Sequence, residues 1–187
     1  ACNYAEQKKN IDWTERHHQL KDLCDRFRRS DGRYDVVVPG SGGKDSVAAS
    51  HILKHEYNMN PILVTWPPAI YTSIGRKNFD SWLSGGYSNY TFNQNRALHR
   101  LLTKLSFTTL CHPFQPFILG QKNLAPRMSV LLDIPFVVFG ENEAEYGNSI
   151  DENLSPIRSD SYYSREGDIL DLKLAGMPVA QIMEEHS

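Results

Sequence analysis

Apolar residues in the first part of the chain fall at helical spacing. Trp13, His17, Leu20, Cys24 and Phe27 follow one another at intervals of 4, 3, 4 and 3 residues, which places them on one face of a helix running to about Arg29. Asp12 precedes this face and is placed to accept the orphan amide hydrogens of the first turn, and Ser30-Asp31-Gly32 ends the helix. The period then changes. Tyr34-Asp35-Val36-Val37-Val38-Pro39 is β-branched with little polar content, the pattern of a strand covered on both faces. A helix is predicted from about Lys44 to Tyr57, and a second strand over Ile62–Trp66 closed by Pro67-Pro68. Ala69–Tyr90 has no clean period and is rich in Gly, Ser, Asn and Tyr, so it reads as a long functional loop with short helical pieces. Ala97, Leu98, Leu101, Leu102 and Leu105 mark another helix. Phe107–Cys111 reads as a third strand, Leu119–Leu132 as a helix and Pro135–Phe139 as a fourth strand. Two amphipathic stretches, about Gly167–Leu174 and Val179–His186, close the chain without an obvious partner strand.

Strands alternating with helices of this length predict an α/β fold, an open parallel sheet with helices on both faces and right-handed crossovers. A length of 187 residues suits one domain with a substantial core. The net charge of −2 gives no electrostatic case for wholesale binding to nucleic acid or to a membrane surface. No apolar run approaches the roughly 20 residues of a membrane span, and the charged residues Glu6, Lys8 and Lys9 near the start leave no visible signal peptide. Cys2, Cys24 and Cys111 are scattered and odd in number, which points to a reducing, cytoplasmic setting and not to a disulfide framework. The first residue is not Met and Cys2 sits almost at the terminus, so the chain is expected to be part of a longer protein.

The chemistry concentrates in Gly40-Ser41-Gly42-Gly43-Lys44-Asp45-Ser46. This segment follows a buried strand and precedes a helix, and ligands of open parallel sheets bind outside the carboxyl ends of the strands. Glycines let backbone amides approach phosphate oxygens, and a helix start adds unpaired N–H groups and the positive end of the macrodipole. Ser41 and Ser46 supply hydroxyls, Lys44 a cation and Asp45 a carboxylate suited to Mg2+. A Walker A loop is excluded because its first glycine and the hydroxyl residue after its lysine fall at Val38 and Asp45. A dinucleotide fingerprint starting at Gly40 fails because its third glycine falls at Asp45.

Ser41-Gly42-Gly43-Lys44-Asp45-Ser46 resembles the SGGxDS loop of the PP-loop ATP pyrophosphatases, whose fold is of the adenine nucleotide alpha hydrolase type. Members of that superfamily cleave ATP to AMP and pyrophosphate, adenylating a carbonyl oxygen that a nitrogen or sulfur nucleophile then displaces. The resemblance implies that Ser41 to Ser46 grip the pyrophosphate, that Lys44 and Asp45 are catalytic with Asp45 on Mg2+, and that Thr65 and Trp66 lie against adenosine. It also divides the chain into an N-terminal segment and helix (1–30), a PP-loop ATP-binding domain (31–150) and an incomplete helical extension (151–187).

Further segments are similar to the N-acetyl sugar amidotransferase branch: Val36–Pro39, Thr72–Phe79, Pro116–Asn123 and Phe139-Gly140-Glu141-Asn142-Glu143 through Glu145-Tyr146-Gly147. That branch converts the acetamido group of a nucleotide-linked or related sugar to an acetamidino group in bacterial surface-polysaccharide and nonulosonic-acid pathways. The resemblance implies ammonia supplied by a partner glutaminase through a cyclase-like protein, since no glutaminase is evident in this chain. Glu141 and Glu143 follow the fourth strand and suit a Mg2+ or substrate contact, with a solvated acidic turn as the alternative. Arg76, Asn78, Gln121, Lys122 and Asn142 are candidate sugar or phosphate contacts, with plain surface polarity the alternative. Family members carry paired N-terminal cysteines with zinc spacing, and Cys2 looks like the last of these, its companions lying upstream. Cys24, Cys111, His17 and His18 read as structural. Two other functions stay open: a tRNA thiolase with Cys111 as sulfur carrier, and a non-catalytic ATP-sensing module. The first predicts a basic RNA-binding surface, which the composition does not provide.

Overall fold

The computed structural model describes residues 6, 9, 11–141, 157 and 172–186. Helix α1 spans Trp13–Phe27, and Asp12 caps it, its Oδ1 accepting from the amides of Thr14 and Glu15 at 3.0 Å each. The core strand β1, Val36–Pro39, is buried at every position. Then follow α2 (Lys44–His55), β2 (Pro61–Thr65), α3 (Ser73–Ser84), β3 (Ser88–Thr91), α4 (Arg96–Leu110) and α5 (Gln115–Leu132). The C-terminal part holds a short antiparallel pair, β4 (Lys173–Leu174) with β5 (Met177–Pro178), and helix α6 (Val179–His186).

The three long-range strands form a parallel sheet in the order β1-β2-β3, with Val37 opposite Ile62 and Ile62 opposite Ser88. On the other side of β1, Val37 donates its amide to Phe136 O at 2.9 Å and accepts from the Val138 amide at 3.0 Å, a parallel bridge with Val137. The chain therefore lays two strands on one side of β1 and returns to its other side, so β1 is the point where the winding reverses. Alternate strand residues feed two cores. Val36, Val38 and Leu63 pack with Cys24, Leu53, Phe79 and Trp82 from α1, α2 and α3. Val37, Ile62 and Val64 pack with Leu124 and Ala125 from α5. Each buried side chain of Leu or Phe size contributes roughly 1.5–3 kcal/mol, and helices thus cover both faces of the sheet. Trp82 brings a polar atom into the first core, and its indole N–H donates to Ser50 Oγ at 2.8 Å.

Two expectations are corrected. Phe107–Cys111 is the last turn and cap of α4, not a strand. Its Thr108 is accommodated in the helix because Oγ1 donates to Lys104 O, as Thr103 Oγ1 does to His99 O earlier in the same helix. Ala69–Tyr90 is not a long loop, since it contains α3 and most of β3. Thr72 caps α3 through Gly75 N, and Phe79 and Trp82 supply the buried face that the polar composition conceals. The fourth strand reduces to the single bridge at Val137. Of the two C-terminal stretches, Val179–His186 is helical as expected, while 167–171 lies outside the described residues. Among the described residues no helix is long and apolar enough to cross a membrane.

Candidate phosphate-binding site

The turn after β1 is clamped at its entry. Gly40 N–H donates to Val64 O at 3.0 Å, and Gly40 O accepts from Thr65 Oγ1 at 2.8 Å. Thr65 Oγ1 in turn accepts from Asn89 Nδ2 at 2.8 Å, so three strands converge on one hydroxyl. Thr65 is fully buried, and its side chain holds the loop entry.

Each glycine of the turn has a separate physical reason. Gly42 has φ +85°, in the left-handed region, and a Cβ there would come within 2.7 Å of Phe79 Cα. The backbone of Asn78 and Phe79 thus lies directly beneath the loop. Gly43 is different. It is the N-cap of α2 with φ −69° and ψ 159°, ordinary extended geometry, and a Cβ there would meet nothing within 4 Å. Neither strain nor crowding within the chain calls for glycine at this position. The space in front of it is open, and the helix start it precedes has no side-chain cap. An uncapped α-helix N-terminus facing open space is a ready anion site.

Side chains frame this opening. Lys44 Nζ sits 2.7 Å from Asp45 Oδ1, with the two side chains 85% and 53% exposed. Ser46 is buried and its Oγ donates to Gly43 O at 3.1 Å, which braces the turn. Ser41 is exposed. From the other side, a Cβ on Gly140 would lie 2.7 Å from Asp45 O and from Ser46 N, so the segment after Val137 rests main chain against main chain on the first turn of α2. That contact brings the exposed Glu141 to the same edge of the sheet as Asp45. Asn142, Glu143 and Cys2 lie outside the described residues.

Arg76 and Asn78 are on α3. Arg76 pairs with Asp80 at 2.8 Å and lies 5.7 Å from the centroids of Tyr71 and of Phe79; the Asp80 carboxylate raises the guanidinium pKa further. Burial likewise pushes the Tyr71 phenol up. Asn78 stands next to the loop and Arg76 half a turn before it.

Beyond β2 a cavity of about 440 Å3 is lined by Trp66, Phe92, His99, Leu102, Leu119 and Arg127, among others. Trp66 stacks on Phe92 with centroids 5.1 Å apart and planes at 17°. Gly120 of α5 presses against the indole so closely that a methyl group would overlap it, and Gln121 and Lys122 follow on the same turn. Trp66 Nε1 and His99 Nε2 are buried without a hydrogen-bond partner among the described residues. A buried unsatisfied polar group costs about 1–3 kcal/mol, which a ligand offering complementary polar atoms would offset. His99 was not foreseen. In the sequence it is one polar residue in an apolar helix face, and nothing there reports that its ring nitrogen lies beside Trp66.

Among the described residues no three His, Cys, Asp or Glu side chains gather as a metal cage. No protein-family model matches the chain, and comparison with curated proteins finds no match.

Proposed function

We propose that this chain is an ATP-dependent, AMP-forming enzyme of the PP-loop type, acting in the cytoplasm as an N-acetyl sugar amidotransferase. The supporting observation is the Gly42-Gly43 turn, which opens the uncapped start of α2 at the carboxyl end of the strand where the winding reverses. In this reading the pyrophosphate portion of ATP lies over Gly43, with Ser41 and Lys44 closing on its oxygens. Adenosine extends past the end of β2 toward the cavity, where Trp66 Nε1 and His99 Nε2 await polar partners.

Asp45 fits Mg2+ of a particular kind. An exposed carboxylate beside a phosphate site matches an ion that takes one or two protein ligands and fills the rest with phosphate and water. Asp45, with Glu141 across the Gly140 contact, would hold it, and when bound it supplies neutralisation of the triphosphate charge. The protein groups then orient the reactants. The acetamido oxygen attacks the α-phosphorus, the bond from that phosphorus to the bridging oxygen breaks, and pyrophosphate leaves onto the loop. Ammonia adds to the activated carbon and loses a proton, and the carbon–oxygen bond breaks to release AMP and the acetamidine. Adenylation is needed because an amide oxygen is otherwise a poor leaving group.

Ammonia, not a sulfur carrier, is the nucleophile in this proposal. Cys111 caps the far end of α4, about 18 Å along the helix axis from His99. The nitrogen comes from a glutaminase delivered through a cyclase-like partner, which shelters ammonia and excludes water from the adenylate. The test incubates candidate acetamido sugars with ATP, Mg2+ and ammonium. AMP and a product about one mass unit lighter are expected, increasingly as pH rises and frees ammonia, while glutamine serves only with partner proteins added. Efficient amidation from glutamine by the single chain refutes the partner arrangement. ATP binding without AMP formation on any acetamido sugar leaves the non-catalytic ATP-sensing reading in its place.

A further inference from the structure

Helix α2 carries a second feature at the end opposite the phosphate turn. His51 and His55 are one helical turn apart, so their side chains project from the same face. Their imidazole rings lie 4.4 Å apart between centroids with planes at 42°, and both residues are exposed. Neither ring hydrogen-bonds to another group among the described residues. Metal ligation takes one lone pair from each imidazole, and two histidines one turn apart on an exposed helix face can each turn a ring nitrogen toward a common ion. An ion about 2.0–2.1 Å from each nitrogen requires the two rings to turn out of their tilted contact, which their exposure leaves room for.

The electrostatics favour a cation there. His55 is the last residue of α2, and the carboxyl end of a helix carries the negative end of the macrodipole. The other basic residue of that turn, Lys54, is held away: its Nζ donates to Gly86 O at 2.7 Å and lies 4.5 Å over the Tyr87 ring. Glu56 follows as the C-cap and is exposed. The ammonium that would compete for the position is thus committed elsewhere.

We propose that His51 and His55 form a bidentate site for a late first-row divalent cation: Zn2+, Ni2+ or Cu2+. Imidazole nitrogen selects these ions over Mg2+ and Ca2+, which require oxygen ligands. Two protein ligands leave the remaining positions to water, so the site is open and exchangeable. The ion bridges successive turns and ties down the last turn of α2. It is independent of the ATP reading, since the pair sits at the other end of the helix from Gly43.

The experiment titrates the full chain with ZnCl2, NiCl2 and MgCl2 by calorimetry, comparing wild type with H51A, H55A and the double variant. Both positions are exposed and alanine is a strong helix former, so folding should persist, as circular dichroism checks. The wild type should show one tightest site for Zn2+ and for Ni2+ and none for Mg2+ in the same range. Either single variant should weaken that site about tenfold or more, because the two-ligand chelate becomes a single ligand. The thermal midpoint should rise with Zn2+ in the wild type and not in the double variant. Retention of the tightest site in the double variant, or equal response to Mg2+, overturns the proposal, as does absence of any Zn2+ binding by the wild type.

Discussion

Replacing Gly43 with alanine separates the proposed phosphate-binding role of the turn after β1 from its architecture. The residue has φ −69° and ψ 159°, which any L-amino acid adopts, and its Cβ would meet nothing within 4 Å. Alanine is a poorer N-cap than glycine by some tenths of a kcal/mol up to about 1. It also restricts the unfolded chain, which stabilises by about 0.4–1 kcal/mol. These effects nearly cancel, so the net change stays within about 1 kcal/mol and the thermal midpoint within roughly 2–4 °C for a chain of this size. The ligand feels the methyl group differently. A backbone N–H binds a phosphate oxygen at about 2.9 Å, and a Cβ in the open space holds that oxygen away. ATP and pyrophosphate affinity should fall about tenfold or more, equivalent to about 1.4 kcal/mol. Gly42→Ala is the contrasting variant. Its φ of +85° and the 2.7 Å approach to Phe79 Cα force the loop to move, at a cost of roughly 1–3 kcal/mol in stability. Calorimetric binding of ATP and of pyrophosphate, with thermal unfolding of both variants, reads the two effects apart. Pyrophosphate affinity within twofold of wild type in Gly43→Ala would refute the placement of phosphate over this residue.

Asp45→Asn should keep the fold, because the carboxylate is exposed and its contact is with Lys44, yet greatly lower Mg2+-dependent AMP formation; wild-type turnover would refute the proposed Mg2+ role of Asp45. Cys111→Ser should retain amidine formation, and loss of all activity in a folded variant would favour the thiolase reading. Burial pushes the Cys24 thiol up to about 11, whereas Cys111 is exposed. Iodoacetamide near pH 8 should therefore label Cys111 and spare Cys24 in the native protein, and equal labelling by peptide mass mapping would contradict the core assignment. The raised thiol value also sets a direction: its stabilising share is intact below the ordinary value of 9.0 and lost as pH climbs toward about 11, so alkaline destabilisation should be smaller in Cys24→Ala.

The central part of the fold was legible because its signals are local and redundant. Val36, Val37 and Val38 point to alternate faces, both are covered, and the residues are therefore apolar on both. Asp12 marks a helix start by its own hydrogen bonds. Legibility failed where tertiary contacts overrode composition. Phe107–Leu110 has strand-like residues, but continuity with the α4 period and the threonine back-bonds keep it helical. In α3, two buried aromatic residues outweigh a polar surround. The strand–turn–helix junction at Gly40–Ser46 could be read because its glycines and helix start are contiguous. The cavity could not, since Trp66, His99 and Gly120 come from three separate elements and meet only after β2, α4 and α5 are packed. The support that Asn78 and Phe79 give to Gly42 was likewise invisible, because α3 itself was hidden.

Gly140 acts as a gauge block. Because it has no side chain, nothing with a rotamer intervenes between its main chain and the start of α2, where a Cβ would come within 2.7 Å of Asp45 O and Ser46 N. The separation there is set by atomic radii alone. Glu141 is the next residue, so the point from which its carboxylate departs is metered from the peptide that carries Asp45. A larger residue at 140 would leave every acidic group present and correctly charged, but would spread the two origins apart. The feature held constant at this edge is therefore the separation of the two main-chain segments from which Asp45 and Glu141 depart, and a single hydrogen atom in place of a methyl group maintains it.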